Sequence, residues 1–109
     1  MKTRVVVTGL GVVCPIGNNV EEFWSSLLDG KSGVGTITRF DTTAYPTRIA
    51  AEVKNLDLSG ILDKKEIRRM DPSGQYAMAA SEEAVKDSGL DLEAVDLDRC
   101  GVIIGSGIG

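Results

Sequence analysis

No histidine occurs among the 109 residues, and that absence excludes more chemistry than any other feature of the composition. A Cys–His or Ser–His nucleophile needs an imidazole within hydrogen-bond reach, and none can come from this chain. Histidine-ligated zinc is excluded on the same ground. Cysteine is scarce. Cys14 and Cys100 are the two present; they stand far apart, with no metal-binding spacing and no disulfide framework. Both neighbour apolar residues and read as buried free thiols. Long apolar runs are missing as well. Val5–Val7 and Val102–Ile104 fall far short of a bilayer span. The three valines after Met1-Lys2-Thr3-Arg4 are too few for a signal-peptide core, so a cytoplasmic protein without membrane attachment is expected. Nor is there an excess of positive charge. Twelve basic residues against sixteen acidic ones give a net charge of −4. That argues against general nucleic-acid binding, which rests on phosphate neutralisation.

What remains is an ordinary globular composition, 42% apolar and 26% charged, sufficient for one small domain with a modest core. Arg4–Thr8 reads as a buried strand, because its consecutive β-branched valines suit a strand covered on both faces. Gly9-Leu10-Gly11 ends it. Asn19 is the N-cap of a helix whose first turn carries Glu21 and Glu22. Val20, Phe23, Trp24, Leu27 and Leu28 form its apolar stripe, and Gly30 suits its C′ position. Residues 30–35 read as a turn-rich connector and Phe40–Pro46 as irregular. Thr47–Lys54 reads as a strand alternating through Ile49, Ala51 and Val53. A short helical segment covers Lys64–Met70. Asp71 at N-cap and Pro72 at N1 start a longer helix with a small alanine face, which Gly89 stops. Leu90–Arg99 is a polar connector holding at most a turn of helix. Cys100–Gly105 reads as a second buried strand. The sequence stops just after it, whereas domain ends usually fall in exposed polar segments, so a truncated chain is expected.

Four features could carry chemistry. Gly9-Leu10-Gly11 after a strand resembles the start of a dinucleotide-binding turn. Yet position 14 is Cys14 rather than glycine or alanine, and the helix opens too late to face a pyrophosphate. Either cysteine would need a nearby base or cation to act as a nucleophile, and no histidine is available. Gly105-Ser106-Gly107-Ile108-Gly109 is either a structural turn or a loop on which a substrate lies. Lys65, Arg68 and Arg69 fall at i, i+3 and i+4 on one helix side, with Lys64 beside them. They form either a solvated face or a seat for a phosphate or an acidic protein.

Taken together, Arg4 to Gly11, Pro15-Ile16-Gly17-Asn18, Phe23-Trp24, Leu27 to Gly33, Phe40-Asp41, Arg68-Arg69-Met70-Asp71 and Gly105 to Gly109 resemble the β-ketoacyl-[acyl carrier protein] synthases. The likeness is greatest to the type II elongation enzymes, and it lies in the order and spacing of these segments. The resemblance implies an α/β, thiolase-like α-β-α-β-α sandwich, of which residues 1–109 would be the opening part of the first half. It implies a homodimeric acyltransferase of fatty acid biosynthesis that needs no organic cofactor and no metal. In that reaction a cysteine takes the acyl chain as a thioester. Malonyl-carrier protein then loses carbon dioxide, and its carbanion attacks the thioester while two histidines stabilise the developing charge. Those groups lie further along in the family, and neither Cys14 nor Cys100 matches the nucleophile, so no catalytic residue is carried over. What the resemblance does carry over is peripheral. Ile108, beside Gly107, matches a residue at the acyl-chain pocket, and Lys65, Arg68 and Arg69 match the patch that docks acyl- and malonyl-loaded acyl carrier protein.

Three rival readings follow from the same residues. A polyketide synthase ketosynthase would share fold and chemistry but use other substrates. A self-contained, non-catalytic binding module would fold cooperatively at this length. A dinucleotide-binding domain is the weakest fit. If the resemblance holds, the valine- and isoleucine-rich strands expect neighbours and covering layers, and the chain by itself is expected to be marginally stable and inactive.

Overall fold

Side-chain chemistry sets where the helices begin. Asn19 is extended (φ −155°, ψ 171°), and its side chain accepts a hydrogen bond from the Glu22 N–H at 2.8 Å, opening helix α1 (Val20–Leu28). Asp63 (φ −78°, ψ 167°) and Glu66 form a reciprocal capping box at helix α2 (Lys64–Arg69). Asp71 with Pro72 at the first helical position opens helix α3 (Pro72–Ser88). Gly89, at φ 65°, ends it in the left-handed conformation that glycine adopts at little cost. These boundaries match the sequence reading closely. A single 3₁₀ turn, Leu97–Arg99, lies in the polar connector as expected.

The computed structural model describes residues 2–108, which divide into two compact units. The first joins the chain up to Gly11 with everything from Leu58 onward. It contains α2, α3, the 3₁₀ turn and the buried Leu58, Leu62 and Ala79. Here the N-terminal segment lies directly on the alanine face of α3. A Cβ added at Gly9 would meet the Ala84 carbonyl oxygen, and one at Gly11 the Ala80 carbonyl oxygen, so only glycine allows this approach.

The second unit is Val12–Asp57. It contains α1 and an antiparallel two-stranded sheet of β1 (Val34–Thr36) and β2 (Ile49–Ala51). Val34 pairs with Ala51, Gly35 with Ala50 and Thr36 with Ile49. Beyond the ladder, Ile37 N–H donates to the Arg48 carbonyl at 3.0 Å. The loop that follows is fixed by the Glu52 carboxylate, which accepts from both the backbone N–H (3.1 Å) and the hydroxyl (3.0 Å) of Thr38. Phe40 and Tyr45 meet edge to face across this loop at 5.8 Å.

Several expectations are corrected. Arg4–Thr8 and Cys100–Gly105 are not buried strands: among the described residues neither joins a ladder, and Val5 and Ile103 are 91% and 97% exposed. A strand exists only with a partner to receive its hydrogen bonds, and these segments have none among the described residues. The stripe of α1 is periodic but largely uncovered, since Trp24, Leu27 and Leu28 are exposed and Ser26 is the buried residue of that helix. β2 is three residues rather than eight, and Ile49 and Ala51 lie on its exposed side. β1 begins inside the stretch read as a connector and runs one residue past it. Neither thiol is fully buried: Cys14 is half-buried in a tight bridge with Gly17, and Cys100 is exposed.

Candidate functional site

The basic face proposed from spacing is built on α2. Its capping box turns the two carboxylates of the first turn inward: Asp63 accepts from Glu66 N–H at 2.7 Å, and Glu66 accepts from Asp63 N–H at 2.9 Å. The helix therefore spends its negative charge on its own N-terminus and leaves the positive charge outside. Lys64, Lys65, Arg68 and Arg69 are all exposed. None of them forms an ion pair among the described residues. Arg68 Nε donates to the Lys64 carbonyl at 3.2 Å, which restrains the guanidinium along the helix. Arg68 and Arg69 also occupy the last turn, where cations complement the helix dipole.

What holds this face in place was not visible in the sequence. The Gln75 side-chain amide donates to the carbonyls of Ile67 (3.1 Å) and Met70 (2.9 Å), so the first turn of α3 satisfies the open end of α2. The half-buried Gly74 packs on Met70, where a Cβ would come within 2.7 Å of Cγ. A glutamine at the start of a helix that closely follows another helix is the local signal that could have suggested the tie.

The glycine-rich segment is placed differently. Gly107 sits at a bend in exposed chain, and Ile108 is fully exposed, packing against no other described residue. The structure thus does not bring Ile108 together with Lys65, Arg68 and Arg69. Gly109 lies outside the described residues. Gly9 and Gly11 are spent on packing against α3 rather than on a phosphate. No group of three or more histidine, cysteine, aspartate or glutamate side chains able to hold a metal occurs among the described residues, and no described helix is long and apolar enough to cross a membrane.

The perturbed carboxylates belong to the other unit, Val12–Asp57. The hydroxyl and then the N–H of Thr43 hold the Asp41 carboxyl below its ordinary range. At Glu52 desolvation pushes upward, but the Thr38 bonds and the Arg39 guanidinium, 3.7 Å away, outweigh it and lower the value. Both groups fix the β1–β2 loop, and neither has the surroundings of a catalytic acid.

The family model described as "Beta-ketoacyl synthase, N-terminal domain" matches residues 2–109. The chain is 54% identical over 108 residues to a 3-oxoacyl-[acyl-carrier-protein] synthase 2 of Coxiella burnetii, covering 99% of this chain and 26% of that protein. Proteins of the same name are 45% identical in Synechocystis, again over 99% of this chain, and 51% in Staphylococcus aureus over 97%, each with 26% of the relative covered. The chain thus spans about a quarter of the length of the curated relatives it matches. Among solved structures it is similar to the ishigamide ketosynthase/chain length factor, with a TM-score of 0.76, 40% identity, and coverage of 85% of this chain and 23% of that one. It is also similar to a chain of a type II PKS acyl-carrier protein in complex with its ketosynthase, with a TM-score of 0.65, 25% identity, and coverage of 91% and 26%.

Proposed function

The chain belongs to the β-ketoacyl synthase family, through that family's N-terminal domain, and from this premise we propose that it is the opening part of a thiolase-like enzyme that elongates fatty acyl thioesters. The reaction is the decarboxylative Claisen condensation. A cysteine thiolate displaces the carrier thiol from an acyl thioester. The malonyl C–C bond to its carboxylate breaks and releases carbon dioxide, and the electron pair left on the α-carbon forms the new carbon–carbon bond as the cysteine thiolate departs. The supporting observation is the 45–54% identity to 3-oxoacyl-[acyl-carrier-protein] synthase 2 proteins across almost the whole chain. A polyketide ketosynthase is the second reading, favoured by the solved structures, but those identities are lower, at 40% and 25%.

In this reading residues 1–109 supply scaffold and recognition rather than the reacting groups, since they contain no histidine. Lys65, Arg68 and Arg69 receive acidic acyl carrier protein. Their exposure and freedom from ion pairs support this role, because an unneutralised basic face in a chain of net charge −4 steers an acidic partner. Gly107 and Ile108 contribute to the acyl-chain pocket once other parts of the protein surround them. The enzyme is a cytoplasmic homodimer. The deciding assay supplies acyl- and malonyl-carrier protein and follows 3-oxoacyl product and carbon dioxide. The full-length protein should release both, and the 109-residue chain neither. Condensation by the chain alone, or none by the full-length protein, defeats the reading.

A further inference from the structure

Within Val12–Asp57 an open cleft of about 320 Å³ is lined chiefly by polar groups, among them Asn18, Glu22, Ser26, Lys31, Ser32 and Lys54. Ser26 decides its meaning. This residue is 8% exposed, and no hydrogen bond to its hydroxyl is found among the described residues, although serines in helices commonly bond a preceding carbonyl, as Ser88 does to Val85 at 2.7 Å. No fully enclosed polar side-chain atom lacks a partner among the described residues, so the Ser26 hydroxyl keeps its access through the cleft. A hydroxyl with no protein partner and an open path to the cleft is free to bond water or a ligand there.

The remaining lining has the character of an anion seat. Lys54 Nζ donates to the carbonyls of Gly33 (3.2 Å) and Glu52 (3.1 Å), which fixes the ammonium and leaves one of its three N–H groups unspent. The Lys31 side chain has no bond among the described residues. The Ser32 hydroxyl accepts from Val34 N–H at 3.2 Å, so its own proton is free to donate. Glu22, the one carboxylate in the lining, is turned onto the Asn18 N–H at 2.8 Å. Two lysines and two serines thus line a cleft whose single carboxylate already accepts a backbone N–H. We propose that this cleft binds a tetrahedral oxyanion, a phosphate or phosphate monoester, with Ser26 and Ser32 donating to its oxygens and Lys31 and Lys54 balancing its charge. The site belongs to a different unit from the basic helix, and it stands whether or not the condensing activity is confirmed.

The test titrates full-length protein with inorganic phosphate and with methyl phosphate by calorimetry at constant ionic strength. Saturable one-to-one binding of at least one of them is expected. Tighter binding of methyl phosphate assigns the site to a monoester, and tighter or equal binding of inorganic phosphate assigns it to the free ion. Lys31→Gln removes an exposed charge without breaking any internal bond, and it should weaken the preferred ligand about tenfold. Ser26→Ala should weaken it severalfold while leaving the circular dichroism spectrum unchanged. Binding of neither ligand, or unaltered affinity in Lys31→Gln, overturns the proposal.

Discussion

The backbone N–H of Leu10 donates to the Asp87 carboxylate at 2.9 Å, tying the N-terminal segment to the last turns of α3 across 77 residues of sequence. Flanking glycines make this possible: Gly9 and Gly11 lie directly against the carbonyls of Ala84 and Ala80. Gly11→Ala would force its Cβ into backbone that cannot give way, so it should destabilise the full-length protein by about 1–3 kcal/mol. Asp87→Asn keeps the shape and an acceptor but loses the charge, and it should do less. Amide exchange at Leu10 reads both effects. Faster exchange in Gly11→Ala than in Asp87→Asn is expected, and wild-type protection in Gly11→Ala would contradict the packing account.

The cap of α2 makes the second prediction. Six residues cannot hold a helix by propensity alone. Asp63→Ala should therefore cost about 1 kcal/mol and fray the segment that presents Lys65, Arg68 and Arg69. Faster exchange of the Glu66 and Ile67 amides would register the fraying. Because the basic side chains are untouched, carrier-protein affinity should fall only severalfold, and Asp63→Ser, which restores a capping oxygen, should recover it. If Asp63→Ala leaves exchange unchanged, the capping box does not hold the helix.

These two cases also show what could be foreseen. Helix ends were legible because their signals are local: the Asn19 side chain caps α1, Pro72 fits the first helical position of α3, and Gly89 takes the left-handed conformation that ends it. The basic face was legible for the same reason, since i, i+3 and i+4 must share a side of any helix. Strands were only partly legible: Thr47–Lys54 contains β2, at three residues rather than eight. Val5–Val7 carry a strand's composition, but a ladder depends on residues far away in sequence, and none is described beside them. Conversely, β1 has a connector's composition and becomes a strand because Ile49–Ala51 supplies its bonds. Gln75 and Ser26 were missed because their roles arise only once α2 meets α3 and the cleft forms around α1.

Acid should loosen the β1–β2 loop only once pH falls below the ordinary carboxylate range. The folded values of both Asp41 and Glu52 lie below their ordinary ones. A carboxylate of this kind contributes stability that is fully present above its unfolded pKa and is lost as pH falls through the folded one. The Thr38 and Thr43 amide resonances should therefore move together as pH drops below the ordinary carboxylate range. Glu52→Gln should abolish the movement at Thr38 and leave that at Thr43. A Thr38 resonance that stays fixed in acid, or one that titrates identically in Glu52→Gln, would refute the assignment.

Charge reversal tests the proposed docking of carrier protein on α2. Arg68→Glu should weaken carrier-protein binding by at least about tenfold at low salt, mostly through a slower association rate. The deficit should shrink as salt is added and the charges are screened. Arg68 also bonds the Lys64 carbonyl, so Lys65→Glu, where no internal bond is broken, separates docking from helix stability. Equal affinity of wild type and Lys65→Glu at low salt would remove the patch from the docking surface.

Ile108 offers the cleanest separation of pocket from scaffold. Its side chain is fully exposed among the described residues, so any constraint on its size must come from outside them. Ile108→Phe adds bulk without disturbing α2, α3 or the sheet. If the residue lines the acyl pocket, the variant should shorten the longest chain the enzyme accepts. The activity ratio between short and long acyl donors should rise about tenfold, the scale of one misfitted apolar group in a binding pocket. Turnover with the shortest donor should be nearly unchanged, which rules out general damage to the fold. A product distribution identical to wild type would instead place Ile108 outside the pocket, leaving the glycine-rich segment with a purely structural role.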